Sequence, residues 1–123
     1  MPVEPGPGAT DPACAQVLVQ LPSELNGAPR RETTGQSTAA WGDPAVELRC
    51  GVQPLGPTTD PCVPVAGVDW VFREIGGNTT YTTYGRVPAV EVRLPGRNPA
   101  GADVALDAVS AAVGFLTAER QCL

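Results

Sequence analysis

Three carboxylates, Glu47, Asp69 and Glu91, fall on stretches where apolar and polar residues alternate. Each is interleaved with an arginine: Arg49, Arg73 and Arg93. Two carboxylates held roughly 5–9 Å apart can hydrolyse a glycosidic bond, one as acid and the other as base or nucleophile. The same residues on neighbouring strands form cross-strand ion pairs on a solvated face, and the strict alternation favours that plainer arrangement. Other chemistry is closed. Histidine is absent and all eight basic residues are arginine, so Ser-His-Asp, Cys-His, Ser-Lys and Schiff-base sites are excluded. The glycines fit neither phosphate-loop nor dinucleotide spacing. Asp43 alone falls far short of the about 6–8 oxygens that calcium takes, so it reads as a turn or cap residue. No cofactor is expected.

Four cysteines, Cys14, Cys50, Cys62 and Cys122, form no closely spaced pair. Zinc sites cluster Cys and His at short spacings, so no metal is expected. An even number of spaced cysteines reads instead as two disulfides in an oxidising compartment. The formal net charge of -5 disfavours nucleic acid and anionic membrane surfaces. No apolar run approaches the roughly 20 residues of a membrane span.

The elements that must position these residues are read in order. Residues 1–10 form a Pro/Gly-rich stretch, expected as a mobile tail left from a linker, with an export or anchor segment upstream of it. Residues 11–123 are expected to form one domain. Asp11-Pro12 opens a helix whose apolar face carries Cys14, Val17, Leu18 and Leu21, and Pro22 ends it. Residues 26–40 are polar and read as a surface loop, with Arg30 and Arg31 solvated. From Ala45 to Val52, Val46, Leu48, Cys50 and Val52 alternate with Glu47 and Arg49, the signature of a half-buried strand. Residues 53–64 read as a loop. Strands follow over Val68–Arg73, Thr79–Tyr84 and Val90–Leu94, separated by turns at 75–78 and 85–88. Asn78-Thr79-Thr80 fits a glycosylation sequon but is more simply part of the hairpin. Leu106, Val109, Val113 and Leu116 mark a C-terminal helix, with Asp103 or Asp107 as its cap.

Together these predict a disulfide-stabilised two-layer α+β sandwich: a four-stranded antiparallel meander with N- and C-terminal helices packed on one face. If the first helix lies on the sheet, Cys14 and Cys50 point into one interface, which favours Cys14–Cys50 with Cys62–Cys122. The rival is Cys50–Cys62 with Cys14–Cys122.

The tract Trp41-Gly-Asp-Pro-Ala-Val-Glu-Leu-Arg-Cys-Gly51 is the most specific part of a wider pattern. Ala13-Cys14-Ala15 to Leu21-Pro22 precedes it, and Val65–Trp70, Tyr81–Arg86 and Ala89–Pro95 follow. The pattern resembles a domain-of-unknown-function family of small exported or membrane-anchored actinobacterial proteins. The resemblance implies an extracytoplasmic location and carries over no activity and no catalytic residue.

The expectation is a non-enzymatic, monomeric module that binds an envelope protein or polymer. Its full-length form would be anchored at the outer face of the cytoplasmic membrane. The candidate binding face comprises Trp41, Arg49, Tyr81, Tyr84 and Arg93, with the 26–40 loop as another contact surface. Trp41 reads more simply as packed against its loop, and Trp70 as core. The alternative is a small envelope hydrolase using Glu47, Asp69 or Glu91.

Overall fold

Asp11 accepts a hydrogen bond from the Ala13 amide at 2.9 Å, and Pro12 stands where a missing N–H costs nothing. In the computed structural model, which describes residues 1–122, the helix so opened, α1, spans Pro12–Gln20. Eight strands follow: β1 (Glu24–Leu25), β2 (Ala28–Arg31), β3 (Thr38–Trp41), β4 (Val46–Val52), β5 (Cys62–Val65), β6 (Val68–Ile75), β7 (Asn78–Thr83) and β8 (Ala89–Leu94). Helix α2 (Ala102–Val113) completes the order. Gly101, in the left-handed region with φ +79°, stands at its N-cap, so neither Asp103 nor Asp107 caps it. Asp103 sits in the first turn, where a carboxylate meets the positive end of the helix dipole.

The sheet has eight strands in the order β1-β2-β3-β4-β8-β7-β6-β5, all paired antiparallel, which corrects the expected four-stranded meander. Strands β6, β7 and β8 are joined by tight turns, and β4 lies beside β8 rather than beside β6. This is a Greek-key connection, made by the long 53–67 crossover with β5 inside it. The four extra strands lie in the two stretches read as loops, except β1, which is only two residues long. Their sequences hide them. The β3 residues are buried on both faces, β2 is exposed nearly throughout, and β5 carries Pro64. None shows the one-sided alternation that marks a half-buried strand.

Pro64 protects the open edge. The Phe72 amide donates to the Pro61 carbonyl, so alternate residues Pro61, Val63 and Val65 turn their backbone polar groups toward β6. Cys62 and Pro64 face outward, and proline offers no N–H to an incoming strand.

One sheet face carries the core. Leu48 and Cys50 of β4 register with Val92 and Val90 of β8, and all four are fully buried. Cys14 and Val17 of α1 and Leu106, Val109 and Val113 of α2 join the same cluster. The Trp70 indole N–H donates to Ser110 Oγ of α2 at 2.9 Å, so this fully buried ring satisfies its one polar group.

Residues 1–10 are not a free tail. Val3 and Ala9 are buried, the Gly8 amide donates to the Gly51 carbonyl at 2.7 Å, and Ser37 Oγ donates to the Ala9 carbonyl at 2.5 Å. Gly51 lies in the bulge between Cys50 and Val52 with φ +92°, and a Cβ there would collide with the Gly8 backbone. The alternation rule sees side chains, and this docking is made by glycine backbone. Among the described residues, no helix is long and apolar enough to cross a membrane.

Candidate functional site: the polar face of the sheet

Opposite the helices, the strands bring the alternating charges together in rows. Thr38, Arg49, Glu91 and Thr82 stand side by side across β3, β4, β8 and β7. Ala40, Glu47, Arg93 and Thr80 form the next row. Arg49 binds Glu91 at 2.9 Å and Arg93 binds Glu47 at 3.3 Å. The N-terminal segment borders this ladder: Arg49 Nη1 reaches the Glu4 carbonyl, and Val3 and Glu4 line a shallow depression of about 180 Å³ with the four charged side chains.

The other expected members of the face are elsewhere. Trp41 is 1% exposed, lies in the core, and donates its indole N–H to the Pro22 carbonyl at 3.0 Å. It has no face to offer a ligand. Tyr81 registers with Val92 and Phe72 and therefore points to the helix side of the sheet, with its ring edge-on to Phe72 at 5.5 Å. Burial pushes the Tyr81 phenol above its ordinary value, and the Asp103 carboxylate of α2 adds in the same direction. Both corrections have one cause: period-2 parity places Trp41 with Val46 and Tyr81 with Val92, on the apolar side. Only Arg49 and Arg93 of the five stand together. Tyr84 lies on the polar side but past the end of β7, toward β5. Arg30 and Arg31 of β2 donate to the Leu18 and Gly42 carbonyls and so tie the sheet edge to neighbouring backbone.

At that far end the structure joins Cys62 to Cys122, while Cys14 and Cys50 are joined inside the core; their Cα separations are 6.3 and 5.6 Å. These are the favoured pairings. Cys122 also donates its amide to Asp69 Oδ2 at 3.0 Å. Cys62, Cys122 and Asp69 thus cluster within 4.8 Å, but the sulfurs are bonded to each other and offer no thiolate to a metal. Beside them, Asp60, Tyr84, Val71 and the disulfide line a cavity of about 340 Å³. Asp60 pairs with Arg73 at 2.6 Å, with both side chains about two-fifths exposed. Hydrogen bonds from Arg73 and then Thr58 hold the Asp60 carboxyl below the usual carboxylate range.

Arg86 escaped the sequence reading. It is 8% exposed, and Nη1 donates to the carbonyls of Gly114, the C-cap of α2, and of Leu116 just beyond it, while Nη2 donates to the Gly67 carbonyl. Its position after Gly85, in a turn, gave no signal of burial.

The match to a family decides the relationship. The family described as Protein of unknown function (DUF3515) has a model that matches residues 1–122. The chain belongs to that family. No curated protein and no solved structure shows significant similarity to it. Membership of the DUF3515 family therefore brings no residue roles, and the chemistry must be read from the geometry. Glu47 and Glu91 are each engaged by a guanidinium, and Asp69 by a backbone amide. Such carboxylates are occupied acceptors, well placed to hold a surface in shape.

Proposed function

We propose that this DUF3515 chain is a non-catalytic module acting outside the cytoplasm, which binds an envelope protein or polymer through the polar face of its sheet. The observation that carries the reading is the ladder of two arginine–carboxylate pairs on adjacent strands, partly open to water. Alternating charges at fixed spacing select a partner by complementarity rather than by area. The two disulfides support a place in an oxidising compartment. In this reading the protein works at the outer face of the cytoplasmic membrane and acts as a monomer.

The test is cross-linked capture from envelope extracts with the native chain and with the double reversal R49E/R93E. The expected result is a specific partner recovered by the native chain and lost with the reversal. Recovery that ignores the reversal, or no specific partner at all, overturns the reading. Turnover of an envelope polysaccharide that E47Q or E91Q abolishes would replace it with a hydrolase.

A further inference from the structure

Arg86 is a buried cation without a matching anion. Among the described residues no carboxylate lies within ion-pair distance of it, and its protein partners are three carbonyl oxygens. One of these, Gly114, is the C-cap of α2, whose dipole supplies roughly half a negative charge, and Leu116 follows just beyond it. Its Nε–H finds no protein acceptor among the described residues, yet no sealed side-chain donor is left orphaned, so this N–H is not closed off from solvent; Arg86 also lines a cavity.

That cavity, about 200 Å³, is lined by Arg86 together with Arg120, Asp69, Tyr84 and Gln121. The C-terminal strap forms one wall: the Glu119 amide donates to the Gly85 carbonyl at 2.7 Å, and Arg86 and Ala118 form a β-bridge. Gly85, with φ +76°, allows the strap this close, since a Cβ would meet the Arg120 backbone. Two arginines against one carboxylate and one helix end leave a surplus of roughly half a positive charge. Asp69 Oδ2 already accepts the Cys122 amide at 3.0 Å. The Tyr84 hydroxyl and the Gln121 amide add neutral hydrogen-bond donors on the same walls.

We propose that this cavity binds a small oxyanion, a carboxylate or a phosphate, between Arg86 and Arg120. The site lies apart from the Arg49–Arg93 ladder and does not depend on the reading of that face. Guanidinium groups present paired N–H donors that match two oxygens of either anion, and near-complete burial of one of them strengthens the contact.

The test is NMR of the arginine Nε–Hε signals during separate titrations with sodium acetate and sodium phosphate, with sodium chloride matching the ionic strength. The expected result is a saturable shift of the Arg86 and Arg120 signals with at least one oxyanion and none with chloride; which one saturates identifies the ligand class. Arg120→Gln, on the exposed strap, should weaken binding by at least about threefold, while Arg97→Gln, at a surface arginine paired with Glu74, leaves it unchanged. Shifts that chloride reproduces, that never saturate, or that survive R120Q unchanged overturn the proposal.

Discussion

Cys14–Cys50 and Cys62–Cys122 close loops of similar entropy, with sequence separations of 36 and 60. On the chain-entropy account each contributes about 4 kcal/mol. Their surroundings differ far more than their loops. Cys14 and Cys50 are fully buried and join α1 to the strand at the centre of the core. Cys62 and Cys122 are half-buried and join an edge strand to the C-terminal strap on the polar face. The first bridge is part of the packing. The second positions loops around cavities. The contrast teaches that location, more than loop length, decides what a disulfide does here.

The largest effect should come from removing the core bridge. The C14A/C50A pair should lose about 4 kcal/mol from loop closure and about 1 kcal/mol more from lost packing, measured by urea unfolding. C62A/C122A should lose about 4 kcal/mol or less, without the packing component. Equal losses with equal loss of near-ultraviolet signal would break the contrast. Trp70→Phe comes next. It removes the indole donor to Ser110 and leaves that hydroxyl buried, at a cost of about 1–3 kcal/mol. Its thermal midpoint should fall while both disulfides remain formed.

The polar face should respond weakly. A double-mutant cycle on Arg49 and Glu91 should give a coupling of about 0.2–1 kcal/mol that shrinks as salt is added. A larger, salt-insensitive coupling would contradict an open, water-exposed face. Asp60 gives the smallest effect. Its carboxyl is held below its unfolded value, so its stabilisation is present above the ordinary carboxylate range and is lost as pH falls through the lowered value. Asp60→Asn should lower stability slightly at neutral pH and leave it unchanged in acid, so that the acid limb of the stability profile, followed by urea unfolding at each pH, flattens.

What the sequence made legible follows the same division. The strands at the heart of the core announce themselves, because Leu48, Cys50, Val90 and Val92 alternate with charged residues. The Asp11-Pro12 start of α1 is equally plain, since a cap and a first-turn proline act locally. The edge strands and β3 were invisible. Residues Ala28–Arg31 are held by two register pairs to β3, and the β3 residues are small and buried on both sides, so neither period is displayed. The strand order was hidden too, because β5 and its Pro64 sit within the crossover that brings β4 beside β8. For the candidate site, alternation puts Glu47, Arg49, Glu91 and Arg93 on the polar side of their strands, but their pairing into a ladder depends on the hidden adjacency of β4 and β8. Trp41 and Tyr81 were misplaced because residue type suggested a ligand surface where strand parity dictates burial. Arg86 was missed because its partners are backbone carbonyls, which no side-chain pattern encodes.

The central physical claim is that one sulfur bridge is sealed between α1 and the sheet while the other lies open on the opposite side. Stepwise reduction of the native chain, with alkylation and peptide mapping at each step, tests it most directly. The account predicts that Cys62 and Cys122 are alkylated first, with Cys14–Cys50 protected until the chain unfolds. A map that joins Cys50 to Cys62, or one in which Cys14 and Cys50 are labelled as early as the other pair, would contradict it.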